Sequence, residues 1–377
     1  MIYFDNAATG RPLKEATSLF LKVNEEVFAN PSSHHRFGYQ AKRILEQARA
    51  DVLSSLGLSK THECIFLSGA SEANSMAIKS VALRYQNRGK RILTSSVEHP
   101  SVTNSFLQLR DSFGFETTFL EVNEEGFVPV SALEKELGKD VILVSLMQVN
   151  NETGAVFPIE ECGEILRKYP KALFHVDATQ GIGKVPCSFC NVDLISFSAH
   201  KFGGLKGSGC LLFRKNLQFL PLISGGEQEY GYRSGTVSPA LAASLAEALK
   251  ISLAREEEAR KHVSRLCSIL EEGLSEIEEV EINSPAGHSP FLCNFSLRKH
   301  KASVVVEALS EKGIYVSSVS ACSSKGEPVS KVLLAMGKGE RLSANSIRVS
   351  FSLENKEEEV FAFLSELKNI LKEIKPL

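Results

Sequence analysis

The lysine at position 201 occupies a setting that suggests chemistry. Lys201 lies in the stretch SFSAHKFGGLKGSG, at the end of a short apolar run, between His200 and a group of glycines. A lysine amine that is desolvated near other cations has a lowered pKa, and its neutral form makes a Schiff base with an aldehyde. Lys201 is therefore the candidate for covalent attachment of such a group.

Two more apolar runs end in side chains that suit a bound aromatic ring. Asp177, in FHVDATQ, offers a carboxylate for a protonated ring nitrogen, and Gln180 offers a hydrogen-bond donor three residues later. His99, in EHPS, offers an imidazole that can stack on such a ring and exchange protons. Each has a structural alternative, because Asp177 could cap the next helix and a single histidine after a strand is more often structural.

The stretch LSGASEAN offers an anion site between a strand and a helix. Ala70 and Ser71 would present backbone N–H groups and a hydroxyl at a helix N-terminus, which suits a phosphate. Alternatively, Ser71 is only the N-cap of that helix. The stretch is not a P-loop, because no Gly-Lys-Ser or Gly-Lys-Thr follows it. A phosphate site, a carboxylate for a ring nitrogen and a Schiff-base lysine together meet the needs of pyridoxal phosphate.

Two further stretches could bind a carboxylate. In QVNNETG, Asn150 and Asn151 are possible donors to a carboxylate or a phenolic oxygen, or they form a turn with Gly154. Arg348, in SIRVS, could bind a carboxylate through two parallel hydrogen bonds, or it forms a structural salt bridge.

Three cysteines stand in settings that bear on chemistry. Cys322 lies in SSVSACSSKGEP, a small and polar stretch in which Lys325 could stabilise a thiolate; the alternative is a buried cysteine. Cys187 and Cys190 form a CxxC pair, but no second pair stands at zinc-site spacing, so we interpret it as incidental.

The alternation of apolar runs with helical patterns predicts how these residues are positioned. Up to about Ser238 it indicates an α/β fold, with a mainly parallel sheet covered by helices on both faces. Ligands bind beyond the carboxyl ends of strands in such a sheet, so we expect the polar residues there to share one crevice. The runs predicted as strands are HECIFLSG, RILTSSVEH, ETTFLEV, VILVSLMQVN, ALFHVDA, VDLISFSAH and GCLLFR.

A smaller α+β unit follows a long helical stretch that begins near Ser238 and shows no convincing break. It contains the predicted strands FLCNFSL, IYVSSVSA and SIRVSFS, and a final helix, KEEEVFAFLSELKNILKEI. We predict a large cofactor-binding domain over residues 12–255. Residues 1–11 and 256–377 would form a small domain that carries the cysteine loop.

Charge, hydropathy and cysteine content give no indication of a nucleic-acid-binding, membrane-spanning or disulfide-rich secreted protein. The 377 residues carry a net charge of −2, which gives no electrostatic reason to expect nucleic acid or an anionic membrane as a partner. We see neither a secretory signal nor an apolar stretch long enough to span a bilayer. The eight cysteines are scattered and do not resemble a disulfide framework, so we expect reduced thiols and a cytoplasmic location.

The motifs together resemble a known family. Their order along the chain is YFDNAAT, NPSSHHRFG, SGASEAN, EHPS, NNETG, DATQ, SAHK, RSGT, SAC and SIRVS. The chain is similar in this respect to the cysteine desulfurases of the NifS/IscS type, which belong to the fold type I (aspartate-aminotransferase-like) pyridoxal phosphate enzymes. The resemblance covers nearly the whole chain and implies that fold, with a large and a small domain.

The resemblance also implies roles for particular residues. Lys201 would hold the cofactor and move the substrate proton, and Cys322 would attack the sulfur of bound L-cysteine, leaving alanine and a persulfide. Asn151 and Arg348 would hold the substrate carboxylate. The residues implied around the cofactor are Asp177 at the pyridinium nitrogen, Gln180 at the phenolic oxygen, His99 on the ring, Asn151 beside it, and Ala70, Ser71, Ser198, His200 and the partner subunit's Thr236 at the phosphate.

The implied assembly is a homodimer that passes sulfur to an iron–sulfur scaffold or a sulfur-carrier protein, for iron–sulfur clusters or tRNA thiolation. The lysine in the loop SACSSKGEP is unusual for the family, which leaves the sulfur acceptor open. The alternatives are a selenocysteine lyase-like or other amino-acid lyase, and a non-catalytic scaffold with the same fold. We expect no direct nucleic-acid or membrane partner.

Overall fold

The computed structural model describes residues 1–318 and 329–376, so the predicted catalytic Cys322 lies outside the described residues. The strands are β1 (Ile2–Tyr3), β2 (His62–Leu67), β3 (Arg91–Ser95), β4 (Glu116–Leu120), β5 (Val141–Met147), β6 (Leu173–Asp177), β7 (Leu194–Ser198), β8 (Gly209–Arg214), β9 (Val280–Ile282), β10 (Leu292–Leu297), β11 (Ile314–Tyr315), β12 (Ser317–Ser318) and β13 (Ser346–Ser350).

The α-helices cover both faces of the larger sheet and pack on the smaller one. They are α1 (Lys14–Glu26), α2 (Arg36–Ser55), α3 (Ala70–Ser75), α4 (Val81–Tyr85), α5 (Pro100–Phe113), α6 (Val130–Glu136), α7 (Ile159–Leu166), α8 (Pro239–Ala254), α9 (Glu256–Ser275), α10 (Ala302–Glu311), α11 (Lys331–Ala335), α12 (Glu340–Ala344) and α13 (Glu357–Glu373). Short 3₁₀ turns occupy Ala199–Lys201 and Glu229–Gly231.

The larger sheet has seven strands in the order β2-β8-β7-β6-β5-β3-β4. Strand β8 is antiparallel to both neighbours, and the remaining neighbours are parallel. Strand β5 is buried at every position, as expected for an apolar run covered by helices on both faces. The predicted mainly parallel sheet is therefore confirmed.

A second, antiparallel sheet has the order β12-β13-β10-β9, and β1 pairs with β11 beside it. Phe4 packs edge-on against Phe351 and Phe363, with ring centroids 5.2 and 6.0 Å away, which joins the N-terminal segment to this unit. Residues 332, 333 and 336 pack instead in the core of the larger sheet. The domain boundaries stay a prediction from the sequence.

Local structure differs from the sequence-based expectation in three places. The long stretch after Ser238 is broken at Arg255, where φ of −102° and ψ of 4° separate α8 from α9. A π-helical turn over Met76–Ser80 divides the helix predicted for SEANSMAIKSVALRYQ. Helix α2 was not predicted, although seven of its residues are buried along one face.

Among the described residues, the structure contains no helix with the length and apolar character needed to cross a bilayer.

Candidate active site

A cavity of about 530 Å³ lies beyond the carboxyl ends of β5, β6 and β7 and is closed from the other side by the smaller unit. Asp5, Asn294 and Ser317 line it from that side. The sequence-predicted site residues that line it are Ala70, Ser71, His99, Asn151, Asp177, Gln180, Ser198, His200, Lys201 and Arg348.

Lys201 ends the 3₁₀ turn that follows β7, and its Nζ donates hydrogen bonds to the carbonyl oxygens of Ala7 and Ala8, at 2.5 and 2.8 Å. The glycines behind it permit this sharp turn. Gly203 has φ of +86°, and a Cβ on Gly204 would lie 2.6 Å from the Cβ of Ala199. Residues with side chains cannot replace these glycines without moving the turn.

The candidate phosphate end forms where two strand ends approach closely. A Cβ on Gly209, at the start of β8, would lie 2.6 Å from the Cα of Gly69. The Ser198 hydroxyl accepts a hydrogen bond of 2.6 Å from the backbone N–H of Ala70. Helix α3 begins at Ala70 and its N-cap is Gly69, so Ser71 is not the N-cap.

Asp177 ends β6 and its carboxylate is held at both oxygens. Oδ2 accepts from Asn74 Nδ2 at 2.7 Å, and Oδ1 accepts from the backbone N–H of Thr179 at 3.0 Å. Asn74 was not predicted, although it belongs to the motif SGASEAN. The Asp177 carboxylate is thus oriented in the cavity wall, ready to pair with a cationic ring nitrogen.

Buried polar atoms at this wall fit a bound cofactor. Within the described part of the chain, Thr179 Oγ1 and Gln180 Oε1 are buried without a hydrogen-bond partner, although both residues line the cavity. Gln180 Nε2 donates to the carbonyl of Ala7 at 3.0 Å, which fixes the amide. Because buried polar groups normally have partners, these atoms suit a bound polar ligand: the Thr179 hydroxyl can donate to an oxygen such as that of a phenol, whereas Gln180 Oε1 can only accept from a donor on the ligand.

His99 caps helix α5, and its Nδ1 accepts a hydrogen bond of 3.1 Å from the backbone N–H of Ser101. Burial lowers the pKa of His99, and Lys201 lowers it further, whereas Asp177 acts in the opposite direction. The imidazole is therefore neutral near pH 7, with its proton on Nε2. His99 thus has the structural role of a helix cap and also lines the cavity, and its stacking on a ring stays a prediction.

Arg348, on β13, links both units at the mouth of the cavity. Its Nη1 donates to the carbonyl of Asn151 at 2.8 Å, and its Nη2 pairs with Asp5 Oδ1 at 3.1 Å. Asp5 was not predicted. Arg348 Nε is buried and has no partner among the described residues. The guanidinium thus has the structural salt bridge that was considered as an alternative, and it also faces the cavity.

Asn150 and Asn151 have different surroundings in the structure. Asn150 is fully buried, and its Oδ1 accepts from the backbone N–H groups of Glu152 and Thr153 at 2.9 and 3.0 Å. It forms the turn that was the alternative interpretation. Asn151 is the one of the two that lines the cavity.

Two buried ionisable groups near the cavity were not predicted. Burial raises the pKa of Glu98 to about 8, and its Oε1 accepts hydrogen bonds from Ser95 Oγ and the N–H of Met147. Burial lowers the pKa of Lys184 to about 7, with Lys201 and Arg348 contributing. No sequence motif marks a glutamate or lysine as buried, so only the packing identifies them.

Thr236 does not line this cavity. It lines a second cavity of about 250 Å³, together with residues near Phe28 and the start of α8. Phe28 is 77% exposed, and Leu21 is 50% exposed on the adjacent helix.

The two cysteines of the CxxC pair, Cys187 and Cys190, are free thiols.

Comparison with known proteins agrees with this arrangement. The family model described as aminotransferase class-V matches residues 2–363. A cysteine desulfurase IscS from Dictyoglomus turgidum is 37% identical, with 100% of this chain and 96% of the relative covered. A NifS/IcsS protein homolog from Lactobacillus delbrueckii subsp. bulgaricus is 37% identical, with 97% and 96% covered. A solved structure of a NifS-like protein has a TM-score of 0.92 at 37% identity and covers 99% of this chain and 100% of its own.

Proposed function

The chain belongs to the aminotransferase class-V family, and on that premise we propose that it is a pyridoxal 5′-phosphate-dependent cysteine desulfurase. The observation that carries the proposal is the meeting of Lys201, Asp177, His99 and Arg348 in one cavity. Lys201, Asp177 and His99 lie at or just after the ends of three strands of the larger sheet, and Arg348 lies within β13 of the smaller unit. They combine an amine, a carboxylate, a neutral imidazole and a guanidinium.

Pyridoxal phosphate, when bound, would supply an electron-withdrawing ring that makes the substrate sulfur electrophilic. Lys201 would attach to its aldehyde and later move a proton at the substrate Cα. Asp177, oriented by Asn74, would hold the proton on the ring nitrogen and so maintain the positive charge of the ring. The neutral ring of His99 would lie against the cofactor ring.

The backbone and side chains at two strand ends would receive the phosphate, with Ala70, Ser71, Ser198 and His200 as the binding groups. Burial lowers the pKa of His200 to about 4, with help from nearby lysines, so its imidazole is neutral and can donate a hydrogen bond without adding charge. Gln180 would contact the phenolic oxygen.

The substrate carboxylate would bind between Arg348 and Asn151. Arg348 already pairs with Asp5, so the incoming carboxylate would share the guanidinium or displace that pair. In either case the carboxylate would be fixed on the side of the cavity that faces the smaller unit. This arrangement favours a free amino acid as the substrate.

Cys322 is the proposed acceptor of the sulfur. Its thiolate would attack the sulfur of L-cysteine, the C–S bond would break, and the electron pair would pass to the carbon framework that becomes alanine. A persulfide would remain on Cys322. This role rests on the motif SAC and on its loop sequence, not on the described residues.

We propose a homodimer in which Thr236 reaches the phosphate of the partner subunit. Thr236 lies outside the cavity of its own chain, and the exposed Phe28 and Leu21 near it offer apolar surface for the contact. The sulfur would pass to an iron–sulfur scaffold or a carrier protein, for cluster assembly or tRNA thiolation. A cytoplasmic location is consistent with the described cysteines, all of which are free thiols.

The decisive experiment measures products. Purified protein is incubated with L-cysteine and a reducing thiol, and alanine and sulfide are quantified together. The wild-type protein should form alanine and sulfide in equal amounts. The variants Lys201→Ala and Cys322→Ser should form both products far more slowly than the wild type. Matched controls are Lys60→Ala and Cys190→Ser, because both residues are exposed and outside the cavity.

The same variants separate the alternatives. A selenocysteine lyase would lose turnover of selenocysteine with Lys201→Ala but keep it with Cys322→Ser. A yellow protein that releases no alanine from any amino acid would be a non-catalytic scaffold, and the desulfurase proposal would be wrong.

A further inference from the structure

We propose that Cys267, Glu271 and His288 form a binding site for a thiophilic divalent cation, with Zn²⁺ as the best match, outside the active site. These residues lie in the smaller unit and do not line the cavity described above. Cys267 and Glu271 are one turn apart on α9, and His288 belongs to the loop before β10. Their ligand atoms all lie within 4.8 Å of one another.

The distances match a coordination site. His288 Nε2 lies 3.6 Å from Cys267 Sγ and 3.5 Å from Glu271 Oε1. For tetrahedral Zn²⁺ with its usual bond lengths, nitrogen–sulfur and nitrogen–oxygen separations of about 3.6 and about 3.3 Å are expected. Both distances from His288 therefore already match those of a bound ion, and all three ligand atoms lie within 4.8 Å of one another.

The histidine is oriented as a ligand. Its Nδ1 donates to the carbonyl of Pro285 at 2.9 Å, so the lone pair of the neutral ring lies on Nε2, which faces Cys267 and Glu271. A backbone carbonyl that fixes the ring in this way is the usual outer partner of a metal-binding histidine.

The environment admits an ion from solvent. The Glu271 side chain is 33% exposed and the His288 side chain 9%, so there is a path from solvent to a mostly enclosed site. Buried Cys293, at the start of β10, hydrogen-bonds to Cys267. A water molecule would complete four-coordination, and binding would release the Cys267 proton.

The site would stabilise a contact that reaches the active site. The N–H of Ser289 donates to the carbonyl of Gly154 at 2.8 Å, and Ser284 Oγ donates to the carbonyl of Thr153 at 2.7 Å. Both carbonyls belong to the turn that follows Asn151. A cation that ties the 284–292 loop to α9 would therefore hold this turn in place.

The test uses tag-free full-length protein carrying Cys322→Ser, which removes a thiol that could bind zinc elsewhere. After chelation, the protein is titrated with Zn²⁺, and bound metal is measured by mass spectrometry after gel filtration. Co²⁺ is used in parallel, because thiolate-to-cobalt charge transfer and ligand-field bands report Cys267 as a ligand. One ion per chain and a Zn²⁺-dependent rise of the unfolding temperature are expected.

The variants are Cys267→Ser and Glu271→Gln, with Cys162→Ser as the matched control. Loss of an outer partner of a metal ligand costs about 10- to 100-fold in affinity, so loss of Cys267 should exceed that range. Glu271→Gln changes a partly exposed residue, so it tests the site even if Cys267→Ser does not fold. Cys162 is a buried thiol in the larger unit, and its variant should bind like the parent. The proposal would be overturned if the parent protein retained no zinc, or if both site variants retained as much zinc as the parent.

Discussion

Breaking the buried ion pair between Arg49 and Glu229 should be strongly destabilising. Arg49 Nη1 and Nη2 contact the two carboxylate oxygens of Glu229 at 2.8 and 2.6 Å, and the side chains are 7% and 0% exposed. Glu229 also accepts from the backbone N–H of Phe66, at 2.7 Å. The pair thus joins α2, β2 and the 3₁₀ turn that leads toward Thr236.

Removal of either partner leaves an uncompensated charge in a site that water does not reach. Glu229→Gln retains one acceptor for three donors and places an amide against the guanidinium. Breaking a buried pair in this way costs about 3–5 kcal/mol, and we expect that loss for Glu229→Gln and for Arg49→Met. The double variant Arg49→Met with Glu229→Met should lose less than the sum of the two, because no unpaired charge remains.

The assay is urea unfolding followed by circular dichroism, at one fixed protein concentration because a dimer is expected. The control is Glu354→Gln, which breaks a pair with Arg11 at the surface. The Glu354 side chain is 62% exposed and the Arg11 side chain is 71% exposed. That change should cost less than about 1 kcal/mol. If Glu229→Gln and Arg49→Met are no more costly than the control, the reasoning from burial is wrong.

Three further predictions concern ionisable groups near the cavity. Burial raises the pKa of Glu98 from 4.5 to about 8, so the free energy of unfolding of the wild type should fall as the pH rises between these two values, by at most about 1.4 kcal/mol per pH unit. In Glu98→Gln, the urea midpoint should no longer show this dependence on pH. Burial lowers the pKa of Lys184 from 10.5 to about 7, so stability should rise with pH across that range, and the rise should be absent in Lys184→Met. Asp177→Asn should lower alanine formation by about 10²- to 10³-fold with little change in unfolding midpoint, and wild-type activity would contradict its proposed role.

The main sheet could be predicted because its signal is local. Each apolar run before a polar strand end matched a strand, and β5 is the clearest example, with all seven residues buried. The break at Arg255 could not be predicted, because the residues on both sides have good helical propensity. The packing of α8 on the larger unit and α9 on the smaller one determines it.

For the candidate site, the sequence by itself determined which residues follow the strands. Parallel strands present their carboxyl ends at one edge of the sheet, so Lys201 and Asp177 had to lie near each other. That argument needs only the order of elements. It holds equally for His99 and Ser71.

Only the tertiary structure decided the partners of those residues. The pairing of Arg348 with Asp5, the orientation of Asp177 by Asn74, and the meeting of Cys267 with His288 join residues that no periodic pattern relates. Helical and strand patterns report which face of an element is buried, and they carry no information on which distant side chain packs against it. Those contacts, and the burial that shifts the pKa values of ionisable groups, arise only when elements distant in sequence pack together within each unit and at the cavity.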